Sequence, residues 1–135
     1  MRIFLDANIL FSAAKSDGAI KDLLTLLEQA GHQCTANSYV IEEARRNLWA
    51  KAPDRISALE ELLSRMTASG QRVDPGLEAS LPLPAKDRPV LAAAIHQGCD
   101  ALVTGDRTHF GALYGRTIRG VIIHSPRSLA EQLVV

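Results

Sequence analysis

Cysteine is scarce in this chain: Cys34 and Cys99 are the two it has among 135 residues. Two thiols make neither a disulfide framework nor a cysteine-based metal signature, so both read as small buried side chains of a reducing compartment. No apolar run reaches membrane-spanning length, and the N-terminus has no charged region followed by a signal-type apolar one. The expectation is a soluble, cytoplasmic protein with no membrane partner. Net charge is missing too, since fifteen Lys and Arg balance fifteen Asp and Glu. A broad basic footprint for nucleic acid is thereby excluded, and any such contact must come from local arrangement. What remains, 47% hydrophobic and 22% charged residues, is ordinary for a globular chain. The length suits one domain, 1–135, with its own core.

The organising stretch is Met1 to Leu10. Ile3-Phe4-Leu5 is an apolar run too short for a helix, and reads as a buried central strand. Asp6 follows at its carboxyl end, where an ionised carboxylate is costly unless paired. Downstream, the pattern predicts a short helix over Ile9–Lys15. A second, over about Ala19–Ala30, has the stripe Ile20, Leu23, Leu24, Leu27 and stops at Gly31. A strand is expected over Gln33–Ala36. Asn37 or Ser38 then caps a helix through Val40–Trp49. Another helix is expected from about Pro53 to Ser69, with Ile56, Leu59, Leu63 and Met66 on one face. Val73 marks a brief strand, and Asp74–Pro84, with three prolines and a glycine, reads as a loop. A helix over about Arg88–Gln97 opens with Asp87 and closes at Gly98. Ala101–Thr104 is a strand ending in Gly105-Asp106. A helical turn near Phe110–Tyr114, a strand at Val121–Ile123 and a helix capped by Ser125 with Pro126 first complete the chain. Strands alternating with helices imply a mainly parallel sheet, a three-layer α/β/α sandwich.

In a parallel sheet the carboxyl ends share one edge, so Asp6 and Asp106 converge there, and Asp87 at a helix start joins them. A helix carboxylate, Glu42 or Glu43, can reach in from the side; periodicity does not separate the two. Carboxylates crowded in one crevice raise one another's pKa, and a divalent cation with oxygen preference, Mg²⁺ or Mn²⁺, resolves the conflict. The chemistry implied is phosphodiester hydrolysis. Taken singly, each residue has a plainer role. Asp87 reads as an N-cap, Asp106 as turn chemistry, and Glu42 as an i,i+4 partner of Arg46. Asp6 alone resists such a role. His96 and His109 flank site segments, but nitrogen does not suit Mg²⁺, and both read as ordinary. Trp49 and Tyr39 read as core or interface packing before base stacking.

With those residues in view, the chain resembles the PIN-domain ribonucleases. The family's opening motif stands as Leu5-Asp6-Ala7-Asn8-Ile9. Its acidic helix resembles Tyr39-Val40-Ile41-Glu42-Glu43-Ala44-Arg45-Arg46-Asn47-Leu48, and its later acidic positions resemble Asp87–Ala94 and Leu102-Val103-Thr104-Gly105-Asp106. The resemblance covers nearly the whole chain in the right order. It implies that Asp6, Glu43, Asp87 and Asp106 ligate Mg²⁺ or Mn²⁺ and act in catalysis, with Asn8 and Thr104 as hydrogen-bonding supports. Relatives often carry serine where this chain has Asn37. Arg45, Arg46, Arg88, Arg107 and Arg116 are candidates for RNA phosphates, although each singly reads as a balance for nearby carboxylates. Stand-alone PIN domains of this size are similar to VapC-type toxins, which implies an RNA substrate, an antitoxin protein partner and a homodimer. The rival expectation is a PIN-fold binding module without catalysis, working through protein or RNA partners.

Overall fold

The computed structural model describes residues 1–133; the expected domain bound at 135 extends past the described residues. Strand β1, Arg2–Leu5, lies inside a six-stranded sheet because Ile3, Phe4 and Leu5 are wholly buried and need cover on both faces. Around it run β2 (Gln33–Asn37), β3 (Thr67–Ser69), β4 (Ala101–Val103), β5 (Thr117–Ile118) and β6 (Val121–His124). The order is β3-β2-β1-β4-β6-β5, parallel throughout except for the β5–β6 pair. Helices α1 (Ala7–Lys15), α2 (Ala19–Gln29), α3 (Ser38–Lys51) and α4 (Ile56–Ser64) connect the first three strands. α5 (Pro75–Ala79), α6 (Arg88–His96), α7 (Arg107–Phe110) and α8 (Pro126–Leu133) accompany the rest. α1 packs on α2, α3 and α4, while α6 covers β4 and α8 covers β6. This is the expected three-layer α/β/α sandwich.

Leaving β1, the chain steps outward through β2 to β3, then returns to lay β4 on the other side of β1. Strand order therefore reverses between β1 and β4, and a crevice opens at their carboxyl ends. Asp6 follows β1 there, its N–H bonded to Val103 O at 3.1 Å.

Four expectations are corrected. The helix expected over 53–69 ends at Ser64, after a 3₁₀ turn at Pro53–Arg55. Thr67–Ser69 instead pairs in parallel with Thr35–Asn37, because an open sheet edge outweighs the weak helix preference of Thr and Ser. Val73 is not in a strand; it is 71% exposed with no strand beside it. Within the expected loop at 74–84, Asp74 accepts from Leu77 N–H and Pro75 takes the first helical position, which together start α5. β5 was not expected at all. It forms a hairpin with β6 through Arg119 (φ 49°) and Gly120 (φ 86°), a turn with both central residues left-handed.

Candidate metal centre

The crevice is lined by Asp6, Ala7, Asn8, Phe11, Glu43, Asn47, Lys51, Lys86, Asp87 and Asp106, and encloses about 230 Å³. Each acidic side chain reaches it for a local reason. Asp6 ends a buried strand and begins α1, its Oδ1 accepting from Ala7 N–H at 2.7 Å. Glu43 stands one turn into α3, on the face that looks across at α1. Glu42, one residue earlier, lies against Arg45 and Glu60 on a different surface, so the fold separates two residues that periodicity left equivalent. Asp87 precedes α6 but makes no cap bond with its side chain, and the capping role is not taken up. Asp106 does cap, its Oδ1 accepting from His109 N–H at 3.1 Å, and the residue still lines the crevice, with its Oδ2 2.9 Å from His109 Nδ1.

Asp6 is the most deeply held, at 5% exposure. Thr104 Oγ1 donates to its Oδ2 at 2.8 Å, and Asn8 Nδ2 reaches the same oxygen at 3.3 Å. Asn8 also ties the two strand ends together: its Nδ2 lies 3.3 Å from Thr104 Oγ1, and its Oδ1 accepts from Gly105 N–H at 2.8 Å. Asp106 N–H donates to Thr104 Oγ1 at 3.1 Å, and Tyr114 OH donates to Thr104 O at 2.8 Å. A buried network of this kind fixes rotamers, because no member can turn without orphaning another. Asn8 and Thr104 thus both bond to the Asp6 carboxylate and to each other.

Burial is the chief reason that the Asp6 carboxyl is pushed up to about 6. The Thr104 and Ala7 hydrogen bonds oppose it, and the charges of Glu43 and Asp87 add to it. Asp87 is also raised, again by burial first, against the pull of His109 and Lys86 and with a push from Asp106. Its Oδ2 is shut off from solvent and has no hydrogen bond among the described residues. Two carboxyls that resist ionising, one with an orphaned oxygen, beside two further carboxylates make a donor set that fits a hard divalent cation.

His109 needs correcting. Its Nδ1 lies 2.9 Å from Asp106 Oδ2 and 3.0 Å from Asp87 Oδ2, and only the Asp106 contact has hydrogen-bond geometry. The donor atoms of Asp87, Asp106 and His109 lie within 4.8 Å of one another. The imidazole thus stands where positive charge is wanted, and the spacing Asp-x-x-His in Asp106–His109 was the available signal.

The arginines fare less well. Arg45 forms a two-pronged pair with Glu60 at 2.8 and 3.0 Å, away from the crevice. Half-buried Arg88 donates to Leu83 O at 2.7 Å and serves the local chain path. Arg46, Arg107 and Arg116 are exposed and do not line the crevice. The cations that do are Lys51 and Lys86, which sequence reasoning missed. Tyr39 OH donates to Lys86 O at 2.7 Å and so steadies the segment before Asp87. Trp49, at 63% exposure, is not a core residue. The Glu42–Arg46 pair is not among the ion pairs of the described residues.

A strand-order reversal lined with carboxylates is a place where an α/β fold can hold a cation, and comparison narrows the class. The chain's fold is similar to that of VapBC2 from Rickettsia felis, solved with a promoter DNA fragment, with TM-score 0.70, 20% identity and coverage of 93% of this chain and 98% of that one. It is similarly close to the DNA-bound VapBC of Salmonella typhimurium, with TM-score 0.69, 16% identity and coverage of 93% and 98%. VapC20 of Mycobacterium tuberculosis, described as a Sarcin-Ricin loop cleaving toxin, gives 0.57 at 14% identity over 82% and 93%. No curated protein matches the chain in sequence. A family profile described as "PIN domain" matches residues 2–108, and the chain belongs to that family.

Proposed function

We propose that this protein is a Mg²⁺- or Mn²⁺-dependent endoribonuclease, the toxin of a toxin–antitoxin pair. The carrying observation is the convergence of Asp6, Glu43, Asp87 and Asp106 on one crevice, with an orphaned Asp87 oxygen inside it. Family membership supports the nuclease class. The fold shared with chains of VapBC complexes, and with a toxin described as cleaving the Sarcin-Ricin loop, supports the toxin role and an antitoxin partner. The same reading includes a homodimer, which sedimentation at micromolar concentration checks; a monomer there would remove that part. It also places the protein in the cytoplasm, where its RNA would be.

In this reading the four carboxylates hold the cation. Thr104 and Asn8 hold Asp6 in the rotamer that presents it, and His109 shares the charge of Asp87 and Asp106. When bound, a divalent cation supplies Lewis acidity, making water more acidic and offsetting phosphate charge. An acidic crevice thereby becomes able to accept an anionic chain. Lys51 and Lys86 contribute positive charge at its walls.

The test is cleavage of a mixed RNA pool with and without Mg²⁺ or Mn²⁺, beside Asp6→Asn, which keeps shape and removes a charge. Metal-dependent cleavage that the variant loses supports the reading. No cleavage together with no metal bound by the wild type would hand the protein to the binding-module alternative.

A further inference from the structure

The crevice continues beyond the carboxylates, along the line where α1 and α3 pack together. Glu43, Asn47 and Lys51 stand four residues apart, so they share one face of α3 and run lengthwise beside the crevice. On α1, Ala7, Phe11 and Lys15 repeat the same spacing. Both helices start at the acidic end and finish at the basic end. Lys15 closes α1 and Lys51 closes α3, roughly 12 Å along the axis from Glu43 at 1.5 Å per residue. There the two ammonium groups converge on one ring: Lys15 Nζ lies 5.6 Å and Lys51 Nζ 5.5 Å from the centroid of Phe11.

Each lysine taken alone sits suitably at a helix C-terminus, where the dipole favours a cation. That does not explain why two cations from different helices gather on one half-buried aromatic ring. Neither lies within ion-pairing distance of a carboxylate among the described residues. In a chain of zero net charge, an unneutralised pair of this kind at the open end of a catalytic crevice calls for an anion. The ring's quadrupole holds the ammoniums in place without neutralising them. An extended polyanion entering the crevice has one phosphate at the carboxylates and its next ones here.

We infer that Lys15 and Lys51, seated on Phe11, form a phosphate-binding subsite that carries the single-stranded RNA leaving the acidic crevice between α1 and α3. The inference rests on the ribonuclease reading, which supplies the RNA. Arg45, Arg46, Arg88 and Arg107, favoured from sequence, are not part of it.

The experiment is fluorescence anisotropy with a labelled single-stranded RNA of mixed sequence, in EDTA so that nothing is cut, across a range of salt. The proteins are wild type, the Lys15→Gln/Lys51→Gln double variant, and Arg127→Gln as a control for lost surface charge. Because both lysines are exposed, the variants keep their fold. The double variant is expected to bind at least about tenfold more weakly at low salt, with a salt slope shallower by about 1.4, as for two single-strand phosphate contacts. The control is expected to match wild type. Phe11→Leu keeps the apolar contact and loses the ring, and is expected to weaken binding by a smaller factor. Wild-type affinity and slope in the double variant would overturn the subsite while leaving the ribonuclease reading intact. Failure of the wild type to bind RNA at any salt in EDTA would likewise overturn the subsite, while the ribonuclease reading stands or falls on metal-dependent cleavage.

Discussion

Two aspartate–histidine pairs in this protein use the same residue types at almost the same distance and do different things. His96 Nε2 lies 2.9 Å from Asp74 Oδ2, and His109 Nδ1 lies 2.9 and 3.0 Å from Asp106 and Asp87. The Asp74 carboxyl is lowered, first by the N–H of Leu77 that it caps, against the opposing cost of burial, and then by His96. Asp87 is raised, because burial outweighs the help that His109 gives. Asp74 accepts the N–H of Leu77 at a helix start and stays partly open to water, whereas Asp87 keeps an oxygen shut off from solvent with no hydrogen bond among the described residues. His96 Nε2, although 2.9 Å from Asp74 Oδ2, is likewise without one among the described residues. The difference is desolvation and crowding, not the presence of an imidazole. A functional centre shows itself by carboxylates that the protein alone leaves unsatisfied.

The comparison can be broken at several points. Asp6→Asn should have the largest effect, reducing metal-dependent RNA cleavage to background in a gel assay, while His96→Gln at the other pair should leave it unchanged. Thr104→Val removes the donor to the buried Asp6 Oδ2. It should lower metal affinity or activity by about 10–100-fold and cost about 1–3 kcal/mol in denaturant unfolding, because an acceptor loses its chief partner. Thr104→Ser should recover most of both.

The third prediction concerns pH. The Asp6 carboxyl ionises near 6 in the folded protein and near 3.8 in the unfolded chain. A group raised on folding contributes stability that is fully present below its unfolded pKa and is lost as pH rises through its folded one. In EDTA, this contribution should therefore fall between about pH 4 and pH 6.5, and thermal unfolding of the wild type relative to Asp6→Asn should show it. Mn²⁺ at neutral pH should restore what is lost, by mass action on the folded state. Equal pH profiles for the two proteins would remove Asp6 from this role. The smallest effect is expected at Arg88→Gln, which gives up a bond to Leu83 O. It should weaken unfolding stability by about 0.5–1.5 kcal/mol and leave the affinity for RNA alone.

Much of this was legible in the chain because the governing signals are local. An apolar triplet closed by an aspartate places β1 and Asp6, and the same grammar places β4 and Asp106. The alternation of strands and helices then forces both carboxylates to one edge. What escaped depends on distant partners. Thr67–Ser69 becomes a strand because β2 leaves an edge open beside it, which nothing within those three residues announces. Periodicity left Glu42 and Glu43 equivalent and the resemblance alone pointed to Glu43; the packing of α3 on α1 is what sets that residue at the crevice. The five arginines were judged by nearness in sequence, yet Arg45 is claimed by Glu60 fifteen residues on. Lys51 stands eight residues past Glu43, close along a helix face but distant in a motif. His109 was set aside for its nitrogen, although its place three residues after Asp106 puts it back among the carboxylates.

The central claim is that the acidic crevice is built to hold a divalent cation, and calorimetric titration with Mn²⁺ and with Mg²⁺ tests it most directly. The wild type is expected to bind saturably, Asp6→Asn to lose that binding, and His96→Gln to bind as the wild type does. No binding by the wild type, or binding that Asp6→Asn retains in full, would contradict the claim.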